Sequence, residues 1–248
     1  MQFCILNRIL HLFSYTNCSI LRVEFLSYFA MLVGMHLYLA SYRLGEYPEK
    51  LKDVLSSVTK NKKVALITNG LDFTNNYFEL TKSIQRDKRD ITALGFEVEE
   101  LDLRDYFGKT VLLQKKMTEY NCVYVRGGNV FVLRRAFQES GFDLLLQEYA
   151  NRDDFVYAGF SAGSCVLSPS LEGLELVDDP EIDPEGYKKQ RIVEGLGCIE
   201  YSIAPHFRSD HPESQKMNTV VDYFLTHKIV FVALTDNDVL ITNTKGTL

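Results

Sequence analysis

One serine of the chain stands where a nucleophile could be held. Residues 159–163 read Gly-Phe-Ser-Ala-Gly and directly follow an apolar run at residues 155–158. In the G-x-S-x-G pattern, a sharp turn from a strand into a helix projects the serine hydroxyl, and small neighbours let the strained backbone pass. The start of that helix would also offer free N–H groups to a developing negative charge. Ser161 is therefore a candidate nucleophile for acyl transfer; the alternative is that the small residues serve only close packing.

A serine nucleophile requires a base, and the chain contains five histidines. His206 directly follows a predicted strand at residues 199–204, so it would emerge at the same edge of a sheet as Ser161. His211 is expected to be a cap or a solvated loop residue. The two histidines could also be metal ligands, but no third residue has a spacing typical of a zinc site. His206 is the favoured base, and no metal is expected.

The base requires a carboxylate to orient it, and two sets of acidic residues compete for this role. Asp236 directly follows a predicted strand at residues 229–234, at the same edge of the sheet. In α/β-hydrolases the acid instead lies between the serine and the histidine in the chain. That order would require an acid of the loop at residues 168–191, namely Asp178, Asp179, Glu181 or Asp183. Asp236 is better placed, although residues 235–238 could be only an Asn/Asp turn.

The elements that must position these residues alternate along the chain. Strands are predicted at residues 36–40, 63–68, 96–101, 122–125, 155–159, 199–204, 229–234 and 239–242. Helices are predicted at residues 48–59, 76–94, 130–139, 142–151, 162–167 and 212–227. Most strands are short continuous apolar runs, as in strands buried on both faces. The pattern predicts an α/β fold: a single domain with a doubly wound, mostly parallel sheet and helices on both faces.

The site is expected at one edge of this sheet. Ligands of such sheets bind outside the carboxyl ends of the strands. Two glycine-rich turns follow predicted strands there: Arg-Gly-Gly-Asn at residues 126–129, and the turn that contains Ser161. The irregular segment at residues 168–191 carries an acidic run and is expected to border the site as a surface loop.

The composition limits the function classes and the partners. A chain of 248 residues that is 46% hydrophobic can bury a sizeable core. The net charge of −6, with acidic and basic residues mixed, gives no basic stripe, so no nucleic-acid partner is expected. Five cysteines without a C-x-x-C pair favour neither a disulfide framework nor a zinc cluster. A reducing, cytoplasmic location fits this pattern.

The N-terminal segment is interpreted separately from the domain. Residues 25–42 contain no Asp, Glu, Lys or Arg and are about as long as a short membrane span. Residues 36–41, however, also fit the first buried strand. Residues 1–34 are therefore interpreted as a dispensable extension of doubtful structure and residues 35–248 as the domain, with a membrane or export segment or a packed helix as alternatives. No membrane association is expected.

Four sequence blocks, taken in order, carry a resemblance to a known family. They are the R-G-G-N turn, G-F-S-A-G-S, P-H-F and L-T-D-N-D. Residues 35–248 resemble the dipeptidase E (aspartyl dipeptidase) family of serine peptidases, relatives of cyanophycinase with a fold like that of class I glutamine amidotransferases. The resemblance implies that Ser161 is the nucleophile, His206 the base and Asp236 the acid. The best-known members of the family carry Glu at the position of Asp236.

The resemblance also implies a substrate and its binding groups. It implies hydrolysis of small peptides through an acyl-enzyme, with no metal or organic cofactor. The backbone N–H groups of Gly128 and Ala162 would form the oxyanion hole, and Arg126 and Asn129 are expected to contact the substrate. Relatives that cleave after an N-terminal aspartate carry an arginine shortly after the nucleophile. Glu172 stands at the matching position here, where it would repel an aspartyl side chain.

Two other function classes remain open on the sequence. One is an amidotransferase-like binding module without catalytic activity, and the other is an α/β-hydrolase-type esterase that uses the loop acids. The chain ends at Leu248, soon after the predicted strand at residues 239–242, where relatives continue into another strand. A truncated C-terminus is one interpretation of this ending.

Overall fold

Helices cover both faces of the main sheet, which explains why its middle strands are short and apolar. The computed structural model describes residues 34–58 and 61–244, so the predictions for residues 1–33 lie outside the described residues. The strands are β1 (His36–Ala40), β2 (Lys63–Ile67), β3 (Glu97–Glu100), β4 (Cys122–Val125), β5 (Val156–Phe160), β6 (Ser202–Ala204), β7 (Phe231–Ala233) and β8 (Val239–Asn243). The six-stranded main sheet has the order β3-β2-β4-β5-β1-β8. Its ladders are parallel except for β8, which pairs antiparallel with β1.

The helices divide between the two faces of this sheet. They are α1 (Pro48–Val58), α2 (Tyr77–Ala93), α3 (Thr110–Met117), α4 (Val130–Ser140), α5 (Phe142–Tyr149), α6 (Ala162–Cys165) and α7 (Ser214–His227). Buried residues of α1 and α2 form one core with Tyr38 and Ala40 of β1. Leu37 and Leu39 of the same strand join the core of α3 to α7 on the opposite face. This alternation follows from the two-residue period of a strand, and the predicted fold class is confirmed.

The structure differs from the predicted elements in three places. The helix α3 was not predicted, because the exposed Val111 and Leu112 blur its apolar face. The strand predicted at residues 199–204 is confined to β6. Together with β7, it forms a separate two-stranded parallel sheet. The loop at residues 168–191 contains a short 3₁₀ helix at Leu174–Leu176.

The start of α6 lies so close to the carboxyl end of β4 that glycine is required at one of its positions. A Cβ on Gly163 would lie 2.2 Å from the carbonyl oxygen of Val125, the last residue of β4. No side chain fits at such a distance. Gly163, two residues after Ser161, therefore lets the start of α6 pack directly on β4. The packing interpretation of the motif is thus correct for Gly163, and it leaves the role of the serine itself open.

Among residues 34–58 and 61–244, no helix combines the length and the apolar character that a transmembrane segment requires.

Candidate active site

The turn after β5 holds Ser161 in a conformation that is rare for a residue with a side chain. Ser161 has φ 50° and ψ −122° and immediately precedes α6. Its N–H donates to the carbonyl oxygens of Ala40 at 3.2 Å and Ser41 at 3.1 Å, which fixes the turn against the end of β1. Strained backbone of this kind concentrates at functional sites, where the surrounding structure maintains it.

The side chains of Ser161, His206 and Asp236 form one chain of hydrogen bonds. Ser161 Oγ lies 3.0 Å from His206 Nε2, and His206 Nδ1 lies 2.6 Å from Asp236 Oδ1. With the ring proton on Nδ1, His206 donates to Asp236, and its Nε2 accepts the hydroxyl proton of Ser161. Each of the three residues follows the end of a strand, β5, β6 or β7. The structure therefore brings together the three side chains that the sequence singled out.

Burial favours the neutral form of His206. The side chain is 2% exposed. This burial lowers the pKa of His206 below its ordinary value, and the neighbouring His211 acts in the same direction, while the hydrogen bond to Asp236 opposes both. A neutral imidazole is the form that accepts a proton from a serine, so this shift extends the range of the base to lower pH.

His211 lies directly against His206, a contact that the sequence did not predict. The two rings are stacked, with centroids 3.7 Å apart and planes 7° apart, and Tyr42 contacts both rings through their edges. His211 also acts as the expected cap, because its Nδ1 accepts a hydrogen bond from the N–H of Glu213 at 3.2 Å. One face of His206 is thus covered by a second imidazole.

The two histidines and Glu213 lie close enough together to include donor atoms of a metal centre. One ligand atom from each of His206, His211 and Glu213 lies within 4.8 Å of the others, and these are donor types that Zn²⁺ takes. Glu213 supplies the third ligand that the sequence pattern lacked. The parallel stack, however, keeps the in-plane lone pairs of the two rings side by side, so they do not converge on one point. The observed geometry is that of a ring stack.

Backbone N–H groups stand free beside Ser161. Within the described part of the chain, the N–H groups of Gly128 and Ala162 have no intramolecular acceptor. Both residues line the same narrow pocket as Ser161. Gly128 has φ 147°, and a Cβ there would lie 2.3 Å from the carbonyl oxygen of Gly70, so glycine is required. Free donors at this place are what a developing oxyanion needs.

The side chains of Arg126 and Asn129 are bonded within the protein. Arg126 Nη1 lies 3.1 Å from Asp87 Oδ2 and donates to Ser83 Oγ at 3.0 Å. Asn129 Oδ1 caps α4 by accepting from the N–H groups of Phe131 and Val132, and Asn129 Nδ2 donates to the carbonyl oxygen of Asp179. Neither side chain lines the pocket beside Ser161. Their contact with a substrate stays a prediction.

The loop acids make contacts other than with the base. Asp178 Oδ2 accepts a hydrogen bond from the N–H of Val130 at 2.8 Å, and Asp183 lies 3.9 Å from Arg135. Within residues 34–58 and 61–244, Asp236 is the acceptor that faces His206 Nδ1. The geometry favours the order serine, histidine, acid over the α/β-hydrolase order.

The pocket beside Ser161 carries carboxylates and, among the described residues, no cationic side chain. Its walls are mostly apolar, with Asp178 and Glu213 as the charged members. Burial raises the pKa of Asp178 to about 7, and the negative charge of Glu213 adds to this rise, while the bond from Val130 and the positive charge of Lys216 oppose it. The raised pKa shows that the surroundings of Asp178 disfavour negative charge.

Glu172 does not take part in that pocket. Its carboxylate accepts a hydrogen bond from the hydroxyl of Tyr223 on α7 at 2.8 Å, and the residue is exposed. The expectation that Glu172 itself repels an acidic substrate is therefore not supported by its position. The acidic character of the pocket comes from Asp178 and Glu213.

The fold is that of an α/β protein with a mostly parallel six-stranded sheet flanked by helices. Residues 38–247 match the model of peptidase family S51. The chain belongs to peptidase family S51, a family of serine peptidases that includes dipeptidase E. The resemblance inferred from the four sequence blocks is confirmed.

Relatives with curated names agree with this assignment. An uncharacterized peptidase of Listeria monocytogenes is 27% identical over 149 residues, which cover 58% of this chain and 67% of the relative. Uncharacterized peptidases of Listeria innocua and Pasteurella multocida are 25% and 24% identical, and the matches cover 58% and 53% of this chain and 66% and 60% of those relatives. The matched part thus spans about two thirds of the Listeria relatives.

Solved structures share the fold. The crystal structure of a candidate peptidase E protein from Listeria monocytogenes EGD-e superposes with a TM-score of 0.62 at 21% identity, covering 85% of this chain and 98% of that one. A peptidase from an acI-B1 actinobacterium gives a TM-score of 0.60 at 18% identity, covering 86% and 84%. These likenesses extend the α/β assignment to most of the chain.

Proposed function

We propose that the protein hydrolyses small peptides with Ser161 as nucleophile, His206 as general base and Asp236 as the acid that orients His206. The observation that carries this proposal is the continuous chain of hydrogen bonds from Ser161 Oγ through His206 to Asp236. A packing role alone would not require an imidazole and a carboxylate in line with the serine hydroxyl. The hydrolysis of a dipeptide library by the full chain, with Ser161→Ala as control, tests the proposal.

The geometry supports a two-step mechanism. His206 Nε2 removes the proton from Ser161 Oγ as the oxygen attacks the peptide carbonyl, and Asp236 stabilises the imidazolium that forms. The carbonyl oxygen, now negatively charged, accepts hydrogen bonds from the N–H groups of Gly128 and Ala162. His206 then donates its proton to the leaving amine, and an activated water releases the acyl group from Ser161.

The pocket supports small substrates whose N-terminal residue is not acidic. It is narrow, and its charged lining consists of Asp178 and Glu213. A substrate carboxylate would lie near the negative charge of Glu213, in the buried surroundings that raise the pKa of Asp178, and both disfavour a further negative charge. We propose that the acyl part of the substrate is a neutral residue with a free amino group.

The cysteines support a reducing, cytoplasmic location. Cys122, Cys165 and Cys198 are free and buried, and burial raises the pKa of each thiol. Buried thiols of this kind are packed and unreactive, as expected of proteins in a reducing compartment.

Asp236→Asn is expected to lower kcat by about 10²- to 10⁴-fold, because the amide neither orients the correct tautomer of His206 nor stabilises the imidazolium. The measurement is steady-state hydrolysis of a cleaved dipeptide. Asp183→Asn, at a loop acid that faces Arg135, is the matched control and should retain wild-type kcat. Wild-type activity of Asp236→Asn together with inactive Asp183→Asn would support the α/β-hydrolase order instead.

Dipeptides with an N-terminal aspartate are expected to be no better as substrates than those with a neutral residue. The physical reason is the negative charge of Glu213 together with the burial that raises the pKa of Asp178 to about 7, since both disfavour another carboxylate in the pocket. The measurement is kcat/KM for Asp-Leu against Ala-Leu. A preference for Asp-Leu above about a hundredfold, equivalent to roughly 2.7 kcal/mol of transition-state discrimination, would contradict this expectation.

A further inference from the structure

Ser41 lies where the register of the sheet brings the nucleophile turn and the acid turn together. β1 runs between β5 and β8, and its last residue, Ala40, pairs with Phe160 on one side and Val239 on the other. The next residue, Ser41, therefore lies between the turn that holds Ser161 and the turn that holds Asp236. Its side chain is completely buried.

Three hydrogen bonds connect Ser41 to the proposed catalytic residues. The carbonyl oxygen of Ser41 accepts from the N–H of Ser161 at 3.1 Å. Its Oγ accepts from the N–H of His206 at 2.7 Å and donates to Asp236 Oδ1 at 3.3 Å, with the carbonyl oxygen of Leu234 at 3.4 Å sharing the hydroxyl proton. Asp236 Oδ1 is the same oxygen that accepts the hydrogen bond from His206 Nδ1.

We infer that Ser41 is a positioning residue of the peptidase, which fixes the backbone of His206 and moderates the charge on Asp236. The inference rests on the proposed roles of Ser161, His206 and Asp236. It adds a residue that touches neither the substrate nor the reacting atoms and acts through those that do.

The backbone of His206 needs such support. His206 has φ 57°, a left-handed conformation that a residue with a side chain holds only when its surroundings impose it. The bond from its buried N–H to Ser41 Oγ is one of those restraints. Without this acceptor, the N–H of His206 would be buried and unpaired, which costs free energy. The backbone around His206 would then rotate to expose or pair the N–H, and the imidazole would move away from Ser161.

The charge of Asp236 is affected by the same hydroxyl. A hydrogen bond donated to Oδ1 disperses part of the negative charge that stabilises the imidazolium of His206. The other polar or charged groups facing His206 are His211, Glu213 at 3.9 Å from Nε2, and the ring of Tyr42. Substitution of Ser41 changes none of these, so loss of its hydroxyl should raise the pKa of His206.

Ser41→Ala is expected to lower kcat by about 10- to 100-fold and to leave KM within about twofold of wild type, because Ser41 does not line the substrate pocket. The acid limb of the kcat/KM profile should move to higher pH, since His206 acts as a base only when it is neutral. The matched control is Ser140→Ala. Ser140 is equally buried, and its Oγ accepts from the N–H of Phe142 and donates to a helix carbonyl at the end of α4. This control should lower the unfolding temperature without moving the pH profile.

Combination with Asp236→Asn separates positioning from general destabilisation. If Ser41 acts through Asp236, Ser41→Ala should cost less in the Asp236→Asn background than in the wild type, whereas independent effects would add. Full additivity, or an unshifted pH profile in folded Ser41→Ala, would overturn the inference. If Ser41→Ala does not fold, Ser41→Cys replaces it as the test variant. The thiol has a shape similar to that of the hydroxyl, but it is a weak hydrogen-bond donor and acceptor. Ser41→Cys should shift the acid limb upward, and a wild-type profile for it would overturn the inference.

These outcomes are distinguishable from failure of the proposed function. Full activity of Ser161→Ala would remove the catalytic roles themselves, and the role of Ser41 with them. Loss of activity in Ser161→Ala combined with a wild-type pH profile in folded Ser41→Ala would remove only the role of Ser41.

Discussion

Substitution of Ser161 by alanine is expected to lower kcat for dipeptide hydrolysis by about 10⁴- to 10⁶-fold. The change removes the oxygen that would attack the carbonyl and leaves the donors of Gly128 and Ala162 in place. A small residual activity above the uncatalysed rate is therefore expected from these N–H groups. KM should change little, because alanine keeps the shape of the pocket.

The matched control for this substitution is Ser168→Ala. Ser168 is another buried serine, but its Oγ has no hydrogen-bond partner within the described residues. Its loss should leave kcat at the wild-type value. Measurement of thermal unfolding would establish whether both variants are folded. Full activity of Ser161→Ala would mean that the glycine-rich turn serves packing only.

His206→Ala is expected to lower kcat by a similar factor, about 10⁴- to 10⁶-fold, because the proton of Ser161 then has no acceptor. Members of such a constellation act as a unit, so the double variant Ser161→Ala/His206→Ala should be no less active than either single variant. His227→Ala, at the exposed end of α7, is the control and should behave like the wild type. Multiplicative losses in the double variant would argue that the two residues do not cooperate.

The fold class follows from the sequence because buried parallel strands have a simple signature. The apolar runs that became β1, β2, β4 and β5 are short, continuous and separated by amphipathic segments, and the order of the elements then restricts the topology. α3 escaped this reasoning, since its apolar residues do not keep to one face. β6 is shorter than its apolar run, because Ile199 and Tyr201 pack in the core without pairing in a ladder.

The residues of the candidate site that directly follow predicted strands could be predicted from the sequence. Ser161, His206 and Asp236 each follow an apolar run, and the rule that ligands bind at the carboxyl ends of strands groups them. Ser41 also follows such a run and could have been found by the same rule. A serine at a strand end does not by itself predict a functional role. The role of Ser41 becomes visible only when the register between β1, β5 and β8 is known.

Contacts made by loops were not predictable. The stack of His211 on His206 depends on the path of residues 207–213, which no periodicity describes. The carboxylates of the pocket, Asp178 and Glu213, come from segments on either side of His206 in the chain, and their meeting depends on how the loop at residues 168–191 folds back. Glu172, which the sequence associated with substrate charge, instead faces Tyr223.

Covalent labelling tests the central claim most directly, because it reports the nucleophile without knowledge of the substrate. The full chain would be treated with a fluorophosphonate, and the modified residue would be located by mass spectrometry of its peptides. We expect one phosphonylated residue, Ser161. Labelling should become far slower in His206→Ala, since an unactivated serine reacts poorly. Labelling of a different residue, or labelling of Ser161 at the same rate in His206→Ala, would contradict the central claim.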